Sequence, residues 1–298
     1  MSRVSEERKG EGLIFLMGIL WAFFPVITVL SYRSISGAAS LLWSDIFATI
    51  IFAALMFYRG KWGELRNPQL WKYGILIALY IGVLVYSLIY VALEFTSPGN
   101  VAIIGLLEVL TTFLVFNVYE KEFFSVEYTV GAILMVIGAG TVLIKDFSGI
   151  NVGDLFVLAS VCIAPFGNIY QQRARNFASS ESIMFIRSLL SIPALAVLAY
   201  FLGPHTSFES FRISLPFLLI NGVLLLGLSK IFWIEAIHRI SVTKATALSS
   251  VTPLLTLLIA WVLLGQVPNM WQLVSLVPLT IGVLLLTGHL KRTHVRLL

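Results

Sequence analysis

The hydrophobic positions of this chain form long, nearly unbroken runs, separated by short segments of polar residues, glycine and proline. A helix needs about 20 mostly apolar residues to cross the hydrocarbon core of a bilayer. Transmembrane strands would instead alternate in hydrophobicity over about ten residues, and these runs do not. Each run is therefore predicted to be a membrane-spanning helix. The ten predicted spans cover residues 12–31, 37–57, 71–93, 98–117, 126–145, 153–170, 181–202, 214–236, 242–264 and 268–289.

The composition agrees with an all-α integral membrane protein that crosses the bilayer several times. Of 298 residues, 58% are hydrophobic and only 12% are charged, whereas soluble domains carry roughly 25% charged residues. The first apolar run is not followed by a small-residue cleavage site, so it is interpreted as a helix and not as a signal peptide. The single cysteine, Cys162, excludes an intrachain disulfide.

Lysine and arginine are distributed unequally between the two sides of the predicted bundle. Cytoplasmic loops are usually enriched in these residues. With ten spans, both termini and the even-numbered loops share one side, and that side carries most of the basic residues. Only Arg33, Lys145 and Arg212 lie on the other side. Both termini are therefore predicted to be cytoplasmic, with the plasma (inner) membrane as the expected location, and the formal charge of +5 does not indicate a nucleic-acid partner.

The second half of the chain aligns with the first at an offset of 144 residues. Among the matched pairs are Ala92 with Ala236, Ser97 with Ser241, Thr112 with Thr256, and Gly138 with Gly282. Because each half has an odd number of spans, similar halves must have opposite orientations, as in many secondary transporters. Alignment by hydropathy alone stays an alternative, since identities are sparse. The predicted organisation is an N-terminal segment, a first repeat, a connecting loop, a second repeat and a basic tail, over residues 1–11, 12–145, 146–152, 153–289 and 290–298.

Several segments resemble a known family. They are "LWAFFPV", which contains Trp21, "YVALEFTSPGNVAIIGLLEVL" between the third and fourth spans, and "AIHRISVTKATALSSVTPLL" at the matching place in the second half. The chain is similar to EamA-type members of the drug/metabolite transporter superfamily over residues 12–290. The resemblance implies two inverted five-helix repeats around a central cavity and alternating access. It also implies export of amino acids and other small metabolites, or exchange of phosphorylated or nucleotide-linked solutes.

The chain departs from this family pattern at two positions. The family often has Glu-Pro where this chain has Glu108 and Val109. The family arginine in the second helix of a repeat matches Arg187 in the second half, but Trp43 occupies that position in the first half. Neither position identifies a substrate.

Glu108 interrupts the apolar run "AIIGLLEVLTTFLVF". An ionisable side chain at membrane depth is expected to face a cavity or a partner. Thr111 and Thr112 follow at the spacing of one helical face. Glu108 is therefore a candidate for substrate binding or for coupling to a proton. The alternative is a structural acid that is neutral or paired with a basic residue.

Lys230, near the cytoplasmic end of the eighth span, is the second candidate. It could bind a carboxylate or phosphate of the substrate, pair with Glu108, or extend to the interface beside Glu235. Its equivalent at the 144-residue offset is Tyr86, and Tyr90 follows one turn later. The two tyrosines are predicted to provide an aromatic surface for an amphipathic or aromatic solute.

Further polar residues inside the spans complete the predicted site. Asn168, Gln171 and Gln172 are predicted to share one face of the sixth span. Asn168 lies deep enough on it to hydrogen-bond a substrate, whereas the two glutamines are predicted only to mark the helix end. Asp45 and Arg187 are assigned to gating or helix pairing. The predicted binding or coupling residues are Glu108, Lys230, Tyr86, Tyr90, Thr112, Asn168 and Trp21.

The chain has no Walker-type loop, GxGxxG or HExxH motif, so an ATP-driven pump is not predicted. Glu235 and His238 have the i, i+3 spacing of a metal-ligand pair, but the second copy that a di-metal site requires is missing. No metal, cofactor or enzymatic activity is predicted.

The leading hypothesis is secondary export of a small metabolite such as an amino acid. Exchange of phosphorylated or nucleotide-linked solutes is the alternative, and a membrane-embedded enzyme or a scaffold is the hypothesis from a different class. The predicted partners are the solute and the lipid bilayer, while the oligomeric state is left open.

Overall fold

The computed structural model describes residues 3–32, 34–120, 126–143, 151–203 and 206–286, and these residues are helical with short connections and no strands. A short 3-10 helix, Trp62–Arg66, lies between the second and third long helices. The long helices are α1 (Arg3–Ser31), α2 (Gly37–Tyr58), α3 (Pro68–Ala92), α4 (Pro98–Gly105 and Leu107–Glu120), α5 (Val126–Leu143), α6 (Val152–Ala174), α7 (Ser180–Leu202), α8 (Phe208–Ile237), α9 (Val242–Leu248 and Thr252–Leu264) and α10 (Met270–Leu286).

Eight of these helices are long and apolar enough to cross a membrane, namely α1 to α4 and α6 to α9. The apolar parts of α5 and α10 are shorter, Thr129–Val142 and Met270–Leu286. The prediction of an all-α, multi-pass membrane protein is thereby confirmed. Ten spanning helices were predicted, whereas eight helices in the described part of the chain have the length and composition of a span.

The helix ends differ from the predicted spans in ways that have physical causes. α1 begins at Arg3, before the predicted span that starts at residue 12. Acidic residues of this N-terminal part pair with Arg239, which follows α8, and with Lys244 of α9. Glu6 pairs with Arg239, and Glu11 pairs with Lys244. The structure does not describe residues 144–150, which include most of the predicted connecting loop at 146–152. The predicted tail at 290–298 also lies outside the described residues.

Irregular backbone occurs at equivalent places in the two halves. α3 is wound as a π-helix over Ala78–Val85, and α8 is wound as a π-helix over Ile220–Leu228. α4 is interrupted at Leu106, and α9 is interrupted by a 3-10 turn at Ser249–Val251. Both pairs of features superimpose within two residues under the 144-residue shift. The repeat therefore extends to backbone geometry, which hydropathy alone would not produce.

Helices that are equivalent under this shift pack against each other in antiparallel fashion. In the pair α5 and α10, Gly131 lies against the backbone of Gly282, while Gly138 lies against Leu279. Residue numbers therefore increase along α5 in the direction in which they decrease along α10, so the two helices are antiparallel.

The pair α2 and α7 has the same antiparallel sense. Arg59, at the end of α2, pairs with Glu181 at the start of α7, and Asp45 pairs with Arg187 further along. These contacts join the two halves near both the end and the middle of α2.

A close helix contact occurs twice, at Gly10 and Gly153. A Cβ atom on Gly153 would lie 2.7 Å from the carbonyl oxygen of Ala92, and one on Gly10 would lie 3.6 Å from that of Ala236. Ala92 and Ala236 are 144 residues apart, so α6 contacts α3 in the way that α1 contacts α8. Each half begins by packing against the third helix of the other half.

Candidate functional site

A cavity of about 170 Å³ lies at the junction of the two halves. It is lined by residues of α1, α3, α4, α6, α8 and α9, with one residue from α7. At about 30 Å³ for each water molecule in the liquid, roughly six would fill this volume. Its wall is largely apolar and aromatic, and the charged and amide side chains on it are Glu108, Asn168, Gln171, Arg187 and Lys230.

Glu108 lies on this wall in the first turn of the second segment of α4. At the interruption two residues earlier, Leu106 keeps right-handed helical backbone angles, so Glu108 continues the course of α4 inside the bundle. Asn168 Nδ2 donates a hydrogen bond of 2.8 Å to Glu108 Oε1, and Gln171 Nε2 lies 3.5 Å from Asn168 Oδ1. The acid is therefore oriented from α6, while its side chain remains on the cavity surface.

Lys230 faces the cavity from α8, and its ammonium nitrogen lies 3.1 Å from the ring centroid of Trp21. The Trp21 ring is stacked on Phe24 with centroids 4.1 Å apart. Cation–π attraction of this kind holds an ammonium over an indole face. Among the described residues, no carboxylate oxygen lies within 4.0 Å of the Lys230 nitrogen, so Lys230 and Glu108 share the cavity without a direct ion pair.

The sequence left open that Lys230 extends to the membrane interface beside Glu235. In the structure, Lys230 faces the cavity and Glu235 has other partners. Its carboxylate accepts hydrogen bonds from Arg175, Ser180 and Arg239. With those partners, Glu235 ties α8 to α6 and α7. Within the ranges that the structure describes, no group of three or more His, Cys, Asp or Glu side chains could hold a metal ion.

Asp45 and Arg187 pair with each other across α2 and α7, with Asp45 Oδ1 and Arg187 Nη2 separated by 3.4 Å. Both side chains are buried. Arg187 lies on the cavity wall beside Tyr86, whereas Asp45 lies behind it. The two residues that were assigned to gating or pairing are therefore in contact, and one of them faces the cavity.

The structure brings five of the seven predicted binding or coupling residues onto one wall: Trp21, Tyr86, Glu108, Asn168 and Lys230. Tyr90 and Thr112 are not on it. Each is fully buried one helical turn beyond a lining residue, and one turn moves a side chain about 5.4 Å along the axis. Tyr90 packs edge-on against Phe24.

Two glutamines that were predicted only to mark the end of α6 behave differently from each other. Gln171 is buried on the cavity wall, one turn after Asn168. Gln172 points the other way and donates to the carbonyl oxygen of Ile237. Of the three residues that the sequence predicted to share a face, the cavity wall includes Asn168 and Gln171 but not Gln172. Further lining residues that the sequence did not single out are Phe24, Ser160, Trp233, Thr246 and Ser249.

The model of the EamA-like transporter family matches the chain twice, over residues 8–144 and 151–288. The chain belongs to the EamA-like transporter family. This confirms the resemblance to the drug/metabolite transporter superfamily that the sequence motifs indicated. With its apolar helices, this member of the family is a multi-pass integral membrane transporter, and EamA-like transporters are generally not enzymes.

The chain is also similar to a bacterial protein and to a solved structure. A protein of Bacillus subtilis (strain 168), described as "Uncharacterized transporter YyaM", is 22% identical over 268 residues, which are 86% of this chain and 86% of that protein. A solved structure described only as "Crystal structure of protein" has a TM-score of 0.66 at 18% identity, and the match covers 96% of this EamA-like chain and 97% of the other. That structural likeness extends to the fold alone.

Proposed function

We propose that this protein is a secondary transporter that moves a small zwitterionic metabolite, such as an amino acid, outward by alternating access. One observation carries the proposal: a carboxylate, Glu108, and two basic side chains, Arg187 and Lys230, lie on the wall of the same small cavity. A zwitterion carries an ammonium and a carboxylate, which complement a wall that has both an acidic and a basic group. Membership of this transporter family implies that the protein moves a small solute.

The rest of the wall supports a solute with an apolar or aromatic body. Trp21, Phe24, Tyr86 and Trp233 line the cavity, and aromatic side chains are typical of ligand sites that have only a few polar contacts. A doubly charged phosphate is less compatible with this wall. Among the described lining residues only Arg187 and Lys230 are basic, and Glu108 would repel such a solute.

Two inverted five-helix halves are part of the proposal. The antiparallel packing of equivalent helices and the repeated contacts of Gly10 and Gly153 support this arrangement. The excess of lysine and arginine on the side that carries the termini supports cytoplasmic ends. A cavity between such halves can open to either side of a membrane when the halves rock against each other.

Polar contacts at the two ends of the bundle would act as gates. We name Lys244 with Glu7 and Glu11 the inner latch, in which the ammonium lies 2.5 and 2.6 Å from the two carboxylates. The outer latch consists of Asn100 with Asp154, whose side chains are hydrogen-bonded at 3.3 Å. Each latch joins the first turn of α4 or α9 to the start of the opposite half. Opening of one latch while the other is closed would expose the cavity to one side at a time.

Transport in proteoliposomes tests this function. The purified protein is reconstituted, and uptake of individual radiolabelled L-amino acids is measured with and without an imposed pH gradient. Glu108→Gln retains the acceptor for Asn168 but removes the charge, so we expect transport to fall at least roughly tenfold, as for loss of one charged hydrogen bond. Glu209→Gln, the same change at an exposed position, should have no effect. Unchanged flux in Glu108→Gln would contradict the role of this carboxylate.

A further inference from the structure

Arg187 has an unusual hydrogen-bond environment for a buried arginine. It is 1% exposed, and a guanidinium has five N–H donors. Its one bond of normal length is from Nη2 to Ser188 Oγ, at 2.9 Å. The bonds to Asp45 at 3.4 Å and to the Tyr86 hydroxyl at 3.5 Å are long. Nε has no hydrogen-bond partner among the described residues.

This geometry is poor for an arginine whose only role is to hold two helices together. Arginine–carboxylate pairs are usually short, at about 2.7–2.9 Å, and often bidentate. Asp45 instead offers one oxygen at the long distance, and its other oxygen, Oδ2, is buried without a hydrogen-bond partner in the described structure. Buried charges with unmet hydrogen bonds are costly. If the pair served only to hold the helices together, a shorter Asp45–Arg187 distance would be more stable.

The position of the guanidinium indicates what could use the remaining donors. Arg187 lies on the cavity wall, with its Cζ atom 5.3 Å from the Tyr86 ring centroid. The ammonium nitrogen of Lys230 lies 6.0 Å from the centroid of the same ring. Lys230 is already held over Trp21, whereas Nε and Nη1 of Arg187 are the less satisfied donors. Asp45 and Ser188 occupy Nη2, the remaining nitrogen.

We propose that Arg187 binds the carboxylate of the transported solute, and that Asp45 is a positioning residue that holds the guanidinium toward the cavity. This assignment rests on the proposed function and names the group that reads the anionic end of the zwitterion. The solute ammonium would then lie toward Glu108. A planar, singly charged carboxylate matches the donor fork of one arginine, and arginine provides this recognition better than lysine does.

The test is the discrimination between an amino acid and its carboxamide, which lacks the negative charge. The probes are the proteinogenic L-amino acids and the matching carboxamides, added to purified protein, with thermal stabilisation and equilibrium binding as readouts. For wild type we expect the amino acid to bind roughly 10- to 100-fold more tightly than its carboxamide, as for a hydrogen bond to a charged group. In Arg187→Gln this ratio should fall to about one, and Arg187→Lys should be intermediate.

Arg187→Gln leaves Asp45 unpaired and can fail to fold, so the double variant Asp45→Asn/Arg187→Gln, which removes both charges, is the second test. It should bind acid and carboxamide equally. Arg212→Gln, the same change at an exposed arginine outside the cavity wall, is the matched control and should retain the discrimination. If Arg187→Gln or the double variant discriminates as wild type does, the assignment is overturned while the proposed function stands. If no amino acid binds to wild type, the proposed substrate class fails, and the assignment fails with it. Preference for inorganic phosphate over every amino acid would also overturn it.

Discussion

Asn100 and Lys244 are 144 residues apart, and each contacts a carboxylate at the beginning of the opposite half of the molecule. Asn100 Nδ2 donates to Asp154, at the start of α6, and Lys244 Nζ pairs with Glu11, in the first turns of α1. Their neighbours Ser97 and Ser241 cap α4 and α9 in the same way. The two contacts are chemically different, because the first joins a neutral amide to a carboxylate and the second is an ion pair. They can therefore be weakened separately.

Reversal of the charge of Lys244 should open the inner end. We expect Lys244→Glu to raise the modification rate of a Thr246→Cys reporter, in a Cys162→Ser background, from the side that carries the termini. Partly exposed ion pairs contribute about 0.2–1 kcal/mol each, so the loss of two predicts a rise of roughly two- to thirtyfold. The measurement is labelling by a bulky, uncharged, membrane-impermeant maleimide in vesicles of both orientations.

The charge swap and the outer latch provide the controls for this experiment. Lys244→Glu combined with Glu7→Lys and Glu11→Lys should return the rate toward that of the starting protein. Asn100→Asp, which places a second carboxylate beside Asp154, should not accelerate labelling of the same reporter from the side of the termini. An unchanged rate in a folded Lys244→Glu protein would argue against a gate at this latch.

Replacement of Gly153 by alanine should destabilise the fold. The new Cβ would lie 2.7 Å from the carbonyl oxygen of Ala92, and a forced shift of packed helices costs about 1–3 kcal/mol. In Gly10→Ala the nearest atom is Ile240 Cγ2 at 3.0 Å, the end of a side chain that can move. We therefore expect a smaller loss there. Thermal unfolding in detergent measures both effects.

Gly140→Ala is the matched control, since a Cβ at Gly140 meets nothing within 4 Å and alanine is the better helix former. The melting temperatures should increase in the order Gly153→Ala, Gly10→Ala, Gly140→Ala. Equal melting temperatures for Gly153→Ala and Gly140→Ala would show that α6 and α3 are not in the close contact described.

Glu64 should make the stability depend on pH at acidic values. Its carboxylate accepts hydrogen bonds of 2.8 Å from the backbone N–H and the hydroxyl of Ser179, at the start of α7. Burial raises the pKa of Glu64, but these bonds and contacts with Ser182 and Lys61 lower it more, so its pKa lies below the ordinary 4.5. This contribution to stability is therefore complete above about pH 4.5 and is lost as the pH falls through the lower pKa of the folded protein.

The corresponding measurement compares Glu64→Gln with wild type in thermal unfolding across this pH range. At neutral pH the variant should melt a few degrees lower, and the difference should shrink below about pH 4.5. Glu209→Gln, an exposed change without these hydrogen bonds, should follow wild type throughout. A difference that is the same at every pH would mean that the charge of Glu64 does not contribute.

Much of the fold could be predicted from sequence because hydropathy is a local property. A run of about 20 apolar residues requires no knowledge of its neighbours to indicate a membrane helix. The same reasoning identified Glu108, since a carboxyl group at that depth requires a cavity or a partner wherever the helix lies. The 144-residue offset was likewise visible in the sequence. The structure adds that the π-helical segments Ala78–Val85 and Ile220–Leu228 lie at equivalent positions under this offset.

The composition of the cavity wall was decided only by the tertiary structure. Depth along a helix can be counted from the sequence, but rotation about the helix axis depends on packing against other helices. Gln171 therefore lies on the wall, although it is near a helix end, while Tyr90 and Thr112 lie behind it. The pairing of Asp45 with Arg187 joins residues 142 positions apart. No local pattern specifies such a contact, because it exists only once α2 and α7 lie side by side.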